Sequence, residues 1–474
     1  MLFSQSELNQ LKQGDIPYFC SAIDSLKVTG GDGSVIDLSK IISESPLQKV
    51  KNKLLSRTRD CFDDQARIAA TTLGLDHLSG ITQPIFDANK GSIDNSFAIA
   101  RYITSRAKYV HGRPWCDTSF NPVPKAKGID PVRVVPSDPF LYEGISGVAM
   151  FLHDLWHLTR DQEVFDDALG FAESVFRELD AKHSYPASGY VGLSSVVYVI
   201  NRCIEKVDSP FSVFEPKLQV LIGEIAEISR EETRLDLLLG TSGIASALLP
   251  YVKRTSNKTG ISILQDSLKR LRDAGIQILD ADEPVTGMDY LRGLSHGISG
   301  IALTLYRLGE FFKQDDVVRL ATKMVLHEYS LVKMGQWTDS HSYNGAPLVG
   351  WCHGSAGIAL ALASMPKLLS HNREVKEYFD AAISYTLARG IYDSKCLCHG
   401  TAGNLLCIAA HAPENANLNN LMDRFEADLL MSGFLSFGAA QTMGIGLMTG
   451  LTGAGYYLLG RSEPRVDYGF LTLS

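Results

Sequence analysis

The sequence predicts an all-α protein, a double-layered α/α barrel of about seven helical-hairpin repeats, and three observations carry that expectation. A glycine-led step recurs seven times: Gly144-Ile-Ser-Gly-Val-Ala, Gly192-Leu-Ser-Ser-Val-Val, Gly240-Thr-Ser-Gly-Ile-Ala, Gly297-Ile-Ser-Gly-Ile-Ala, Gly354-Ser-Ala-Gly-Ile-Ala, Gly400-Thr-Ala-Gly-Asn-Leu and Gly450-Leu-Thr-Gly-Ala-Gly. The first glycines lie 48, 48, 57, 57, 46 and 50 residues apart, and a period near 50 is what helical hairpins give. Secondly, each step opens a run that is apolar nearly all round, whereas the segments between carry one apolar face. Thirdly, the last repeat stops soon after Gly453. An open array would expose an apolar end or need polar caps, so closure into a barrel is expected.

Taken in order, residues 1–91 read differently from the rest and are expected to form an N-terminal helical extension. Pro17 in Gly14-Asp-Ile-Pro-Tyr-Phe19 breaks any helix before it, because proline lacks an N–H and restricts the residue ahead of it. Gly30-Gly-Asp-Gly33 reads as a turn or flexible loop, and a helical stretch follows from roughly Leu47 to Thr72. From Ser92 to the end, the second expected domain (92–474), the pattern is helical. Val164, Phe165, Ala168, Leu169, Ala172, Val175, Phe176 and Leu179 share one face at helical spacing. Val317, Leu320, Ala321, Met324 and Val325 do the same. Runs apolar on every side belong in an inner ring, and amphipathic helices in an outer one.

Composition narrows the function classes. A net charge of −8 and the lack of any Lys/Arg cluster argue against nucleic-acid binding. No apolar run reaches the ~18 residues of a transmembrane helix, and the amino terminus has no signal-peptide pattern. Eight cysteines in 474 residues are no disulfide framework. Four of them (Cys352, Cys396, Cys398, Cys407) cluster late in the chain, which fits a reducing cytoplasm and a metal or catalytic role.

If the inner helices run parallel, their amino ends share one pole. The residues just before each first glycine then face a common cavity: Glu143, Val191, Leu239, His296, His353, His399 and Thr449. One step earlier stand Cys352 and Cys398. Thiolate and imidazole are the donors zinc prefers, and three protein ligands leave the open position of a catalytic site. From spacing alone, His353 and His399 are equally good third ligands. Cys396 and Cys407 read better as small buried core residues.

Trp351-Cys352-His353-Gly354, Cys398-His399-Gly400 and Leu294-Ser-His296-Gly-Ile-Ser-Gly300 together resemble the lanthionine synthetase C-like (LanC-like) cyclases. The resemblance covers about 94–474 and all seven repeats. Leu141-Tyr-Glu-Gly-Ile-Ser-Gly147, Gly446-Leu-Met-Thr-Gly450 and Gly14-Asp-Ile-Pro-Tyr-Phe19 look like the cyclase end of class II lanthipeptide synthetases. The resemblance implies an α/α toroid, with one zinc on Cys352, Cys398 and His399, and with His296 and Asp236 in acid/base chemistry. His353 falls where class I members commonly carry tyrosine, and their arginine just before the first cysteine ligand has no counterpart in Leu348-Val-Gly-Trp-Cys352.

The implied reaction adds a peptide cysteine thiol across dehydroalanine or dehydrobutyrine, forming a (methyl)lanthionine. A thiol of ordinary pKa about 8.5 needs help to ionise at neutral pH. The enolate that follows needs a proton donor, for which histidine is suited. Such an enzyme takes a dehydrated lanthipeptide precursor. With only 13 residues ahead of Gly14 and no nucleotide loop, a separate dehydratase domain or protein is expected to supply it. Two alternatives share the fold: addition of glutathione to dehydroamino acids, and a non-catalytic zinc-containing peptide scaffold. Other motifs fail. His327-Glu-Tyr-Ser-Leu331 lacks the second histidine of a zinc protease, and the Gly-x-Ser-Gly steps have no strand before them.

Overall fold

A computed structural model describes residues 3–12, 16–55, 87, 89–106, 108–110, 113–115, 137–180, 184–206, 209–280, 292–333, 349–392, 394–409, 415–432, 444–463 and 465–474. The end of the stretch expected to be helical (56–72), Gly14, Cys61, Cys116 and Leu348 lie outside the described residues. The chain divides into two compact units, Met1–Ser79 and Gly80–Ser474.

In the first unit, α1 (Ser4–Lys12) precedes three short strands, β1 (Phe19–Cys20), β2 (Lys27–Gly30) and β3 (Val35–Asp37), and then α2 (Pro46–Leu55). The strands pair antiparallel in the order β1-β2-β3. This small sheet adds to the helices expected there. Gly30-Gly-Asp-Gly33 makes its second turn, with Gly33 at φ +79°, a region that suits glycine. Asp32 accepts hydrogen bonds from Ser6 and Asn9 of α1 and from Ser34, tying the turn to the helix.

The second unit opens with α3 (Ser92–Arg106) and a hairpin of β4 (Lys108–Val110) and β5 (Arg113–Trp115). Helix pairs follow in repeat order: α4 (Ile145–Thr159) with α5 (Gln162–Asp180), α6 (Leu193–Ile204) with α7 (Glu215–Ile228), and α8 (Thr241–Thr255) with α9 (Lys258–Asp280). After them come α10 (Ile298–Phe312) with α11 (Asp315–Lys333), then α12 (Ser355–Ala363), a short α13 (Pro366–His371) and α14 (Arg373–Arg389). The series ends with α15 (Thr401–Ala409), α16 (Ala416–Ser432) and α17 (Leu451–Ser462).

Each inner helix begins at the residue after a repeat's first glycine. α4, α6, α8, α10, α12, α15 and α17 pack on one another in sequence, and α17 returns to α4, so the inner ring closes. The outer layer closes with it, because α3 packs on α17. Ser96 donates to the Gly455 carbonyl across that junction at 3.2 Å. The inner helices are buried almost throughout, as Ile145 to Leu155 in α4 illustrates.

The glycine steps have a common cause. Ahead of most of these helices the chain folds back so far that the first helical N–H groups find a carbonyl seven residues earlier. Ile145 bonds to Asp138, Leu193 to Pro186, Thr241 to Arg234, Thr401 to Ser394 and Leu451 to Gly444, each at 2.9 Å. These main-chain bonds cap the helix in place of a side chain. The second glycine lies against the same turn: a Cβ at Gly243 would sit 2.1 Å from the Leu237 oxygen, and one at Gly403 would sit 1.7 Å from the Leu397 oxygen.

The segment after α17 runs inside the inner ring. Tyr190 donates to the Phe470 carbonyl (2.9 Å), Trp351 Nε1 to that of Leu471 (2.8 Å) and Arg307 to that of Thr472 (2.6 Å). Arg202 binds both the Asp467 carboxylate and its carbonyl. Phe470 and Leu471 are fully buried.

Two alanine substitutions separate the crowded glycines from the free ones. Gly243→Ala is expected to cost about 1–3 kcal/mol, the usual range for overpacking. Gly223→Ala, where a Cβ on α7 would meet nothing within 4 Å, is expected to stabilise by about 0.4–1 kcal/mol through the unfolded chain. Urea titration of both variants measures the contrast.

Candidate functional site

The turns that cap the inner helices are joined by main-chain hydrogen bonds between equivalent residues, each two positions before a first glycine. Met448 N–H bonds to the Tyr142 carbonyl at 2.9 Å, Cys398 N–H to Met448 at 2.9 Å, Cys352 N–H to Cys398 at 3.1 Å and Ser295 N–H to Cys352 at 3.1 Å. Leu238 N–H bonds to Ser295 at 3.0 Å, and Tyr142 N–H to Tyr190 at 3.1 Å. Between the second and third repeats, Gly189 lies close against Gly243. Residues far apart in sequence thus become neighbours because they hold the same place in successive repeats.

Cys352 and Cys398 are such a pair, and they bring their thiols together. With His399 they form the group of metal-ligand type found among the described residues, their donor atoms all within 4.8 Å of one another. Ligand bonds of about 2.0–2.3 Å converge on a single ion over that span. The donor set, two sulfurs and one imidazole, fits zinc. His353, the other histidine that spacing allowed, is not in that group. Its ring stacks on His296 instead, with centroids 5.0 Å apart and planes at 21°.

Electrostatics in the cluster follow from burial and contact. The hydrogen bond from Cys398, joined by the imidazoles of His399 and His353, holds the Cys352 thiol well below its ordinary value. Burial, then the charge on Cys352, pushes Cys398 up. Burial lowers His399, but the Cys396 and Cys352 sulfurs outweigh it and lift the imidazole to about 10. Cys396 is therefore buried, as expected of a core residue, yet lies against His399. Cys407 is simply core, its thiol pushed up by burial.

A second register explains Asp236. The residue four before each first glycine faces the next repeat's turn: a Cβ at Gly293 would meet Cys352 and His353, one at Gly350 would meet Cys398 and His399, and one at Gly446 would meet Glu143. Asp236 holds that place in its own repeat, and the residue it faces is His296. Its Oδ2 lies 3.6 Å from His296 Nδ1, within ion-pair reach but longer than a hydrogen bond. Oδ1 accepts from the Leu239 N–H at 2.5 Å, bracing the turn. His296 Nδ1 is buried and has no hydrogen-bond partner among the described residues.

Three further side chains stand at or beside the cluster, of which only Glu143 was expected at the pole from its position in the repeat. Tyr142 donates its hydroxyl to Cys398 Sγ at 2.7 Å. Glu143 accepts from Thr449 Oγ1, and burial, opposed mainly by that bond, lifts its carboxyl to about 8. Glu328, on outer helix α11, reaches in to accept from Gly293 N–H at 3.1 Å and from Ser299 Oγ. It clasps the His296 turn on both sides. Gly293 itself sits at φ +123°, a conformation side chains disfavour.

A closed ring of helical hairpins with a thiol–imidazole cluster at the shared amino pole defines the class of protein. The chain matches the lanthionine synthetase C-like protein family over residues 135–470 and belongs to it. It is 23% identical to the lacticin 481/lactococcin biosynthesis protein LcnDR2 of Lactococcus lactis subsp. lactis, over 98% of this chain and 51% of that one. It thus spans about half of that relative's length. Glutathione S-transferase LANCL1 of Danio rerio is 25% identical over 57% of this chain and 68% of that protein. Among solved structures, nisin cyclase superposes with a TM-score of 0.56 at 16% identity, over 71% of this chain and 92% of the other. That likeness is one of fold. No helix among the described residues is long and apolar enough to cross a membrane.

Glu328 supplies a pH test. Burial raises its carboxyl to about 7, against the pull of the Ser299, Gly293 and Tyr378 hydrogen bonds. A carboxyl raised on folding favours the native state below its unfolded pKa, and that share is lost as pH climbs through about 7. Relative to Glu328→Gln, the wild type is expected to lose on the order of 3 kcal/mol between pH 4.5 and pH 8. Urea unfolding across that range checks it.

Proposed function

We propose that this chain is a zinc-dependent lanthipeptide cyclase, adding peptide cysteine thiols to dehydroalanine or dehydrobutyrine to close (methyl)lanthionine rings. One observation carries the reading: two thiols and an imidazole converge at the pole where a histidine–carboxylate pair also stands. Membership of the LanC-like family supports it. Cys352, Cys398 and His399 would hold the zinc, which supplies ionisation of the incoming thiol at neutral pH.

The rest is work for side chains. The sulfur forms a bond to the β-carbon of the dehydroamino acid, and the displaced π pair becomes an enolate. His296 delivers a proton to the α-carbon, so that S–H is added across C=C with no change in mass. Asp236 stabilises the charged imidazole, and stacking on His353 fixes the plane of the His296 ring. Glu143, holding its proton near neutral pH, is a second donor beside the cluster.

In this reading residues 92–474 are the cyclase domain, because Ser92 begins the helix that completes the outer ring. Residues 1–91 are an extension like the tail of a class II dehydratase region, and the peptide arrives already dehydrated by a separate domain or protein. The six described cysteines are free, which suits a reducing cytoplasm. The similarity to a glutathione S-transferase keeps a second reading open, in which glutathione is the thiol added.

Three substrates test these readings. A pre-dehydrated precursor that retains its cysteines should lose free thiol without mass change, and an unmodified precursor given ATP and magnesium should keep its full mass. A dehydrated peptide lacking cysteine, incubated with glutathione, should stay unmodified; growth by one glutathione would favour the second reading. The metal-free variant runs alongside to measure spontaneous cyclisation.

Two variants test the roles. Cys398→Ala should lose most of its zinc by metal analysis, since two ligands seldom hold a catalytic ion. His296→Asn should keep zinc and peptide binding but slow cyclisation by about 10²–10⁴-fold. Zinc loss in His296→Asn would make that histidine a ligand instead.

A further inference from the structure

Tyr142 makes a contact that the proposed chemistry has not yet used. Its hydroxyl lies 2.7 Å from Cys398 Sγ, although the two residues are 256 positions apart. The contact is built in. Tyr142 and Cys398 hold equivalent places in their repeats and bracket Met448, which gives its N–H to the Tyr142 carbonyl and its carbonyl to the Cys398 N–H. The Tyr142 backbone is held from the other side by the Tyr190 carbonyl. The phenol is thus clamped at both main-chain ends and directed over Met448 onto the sulfur.

Tyr190 gives an internal comparison. It holds the equivalent place in the next repeat, but its hydroxyl bonds to the Phe470 carbonyl at 2.9 Å. The ring position therefore does not dictate a sulfur partner, and the Tyr142 contact is a property of that side chain.

We propose that Tyr142 is a positioning residue of the metal site, fixing the Cys398 side chain and drawing charge from its sulfur through an O–H···S hydrogen bond. The inference rests on the reading of Cys352, Cys398 and His399 as metal ligands. A cysteine that ligates metal has no proton on sulfur, so the only hydrogen available between the two atoms is the phenol's. Groups that hydrogen-bond to a ligand orient it and tune what it donates, and losing one typically costs about 10–100-fold in metal affinity or activity. By limiting what Cys398 donates, Tyr142 keeps a bound ion electron-poor, which favours ionisation of the substrate thiol.

The test uses the full chain stripped of metal and titrated with cobalt(II), whose thiolate charge-transfer absorption reports electron density on sulfur. Tyr142→Phe is expected to bind about 10–100-fold more weakly and to shift that absorption to longer wavelength. Installing 3-fluorotyrosine at position 142, a stronger donor of nearly the same shape, should shift it to shorter wavelength, and does so even if the phenylalanine variant folds poorly. Tyr190→Phe should leave the spectrum and the affinity unchanged. A wild-type spectrum and affinity in Tyr142→Phe, or equal changes in Tyr190→Phe, would overturn the role of Tyr142 alone. If the wild-type chain takes up no cobalt, the metal-site reading falls and this inference falls with it.

Discussion

The main-chain belt at the amino pole is the constraint on which the rest of this structure depends. Seven turns present equivalent residues to one another, and their N–H and C=O groups are largely consumed in linking neighbours. Buried backbone polar groups must find partners, and here that requirement also sets the register. Shifting one repeat by a residue would break its links and its seven-residue cap together. The belt makes Cys352 and Cys398 adjacent, puts Asp236 opposite His296, and brings Tyr142 beside Cys398. The chemistry uses side chains, but the backbone decides which of them meet.

The same closeness explains the electrostatics. Burial is the largest influence raising the carboxyls of Glu143 and Glu328, one against Thr449 and the other against Ser299 and Gly293. Cys352 escapes that fate because a neighbouring thiol and two imidazoles favour its charge. Specific neighbours restore charge at the sulfur, where a nucleophile or a metal ligand needs it.

The repeat was legible in the sequence because its cause is local: the first glycine of each step, and the second in every step but the one at Gly192 where Ser195 stands, belongs to the turn just before the helix. Every inner helix begins where the step places it, and the meeting of Cys352 and Cys398 follows from their shared position; spacing left His353 and His399 equal, and only family resemblance named His399, which the structure groups with the two thiols. Asp236 was nameable only through family resemblance. Its partner is set by a register in which the residue four before one glycine faces the next repeat's turn, and that needs three-dimensional packing to be seen. Glu328 was hidden for another reason. It comes from an outer helix, where one buried carboxylate looks like any other polar residue in an amphipathic pattern. The N-terminal sheet escaped notice because strands of two to four residues with mostly exposed side chains carry no usable alternation. Tyr142 lay in a quoted motif, but nothing in its neighbours says that its hydroxyl reaches a sulfur in another repeat.

Closing the ring through α3 and α17 has a consequence for how the molecule is assembled. Hairpin partners lie close in the chain, so they find each other at small entropic cost, whereas the seam joins Ser96 to Gly455 across 359 positions. Loop-closure entropy grows only slowly with length, so the extra cost of the seam over a hairpin is on the order of 2 kcal/mol. Its weight is kinetic. Until the seam forms, an arc of finished hairpins has two unsatisfied edges, each an apolar inner helix able to pair with another chain. Seam formation is the most non-local pairing and so the slowest expected, and it closes the ring within one chain in place of an intermolecular stack.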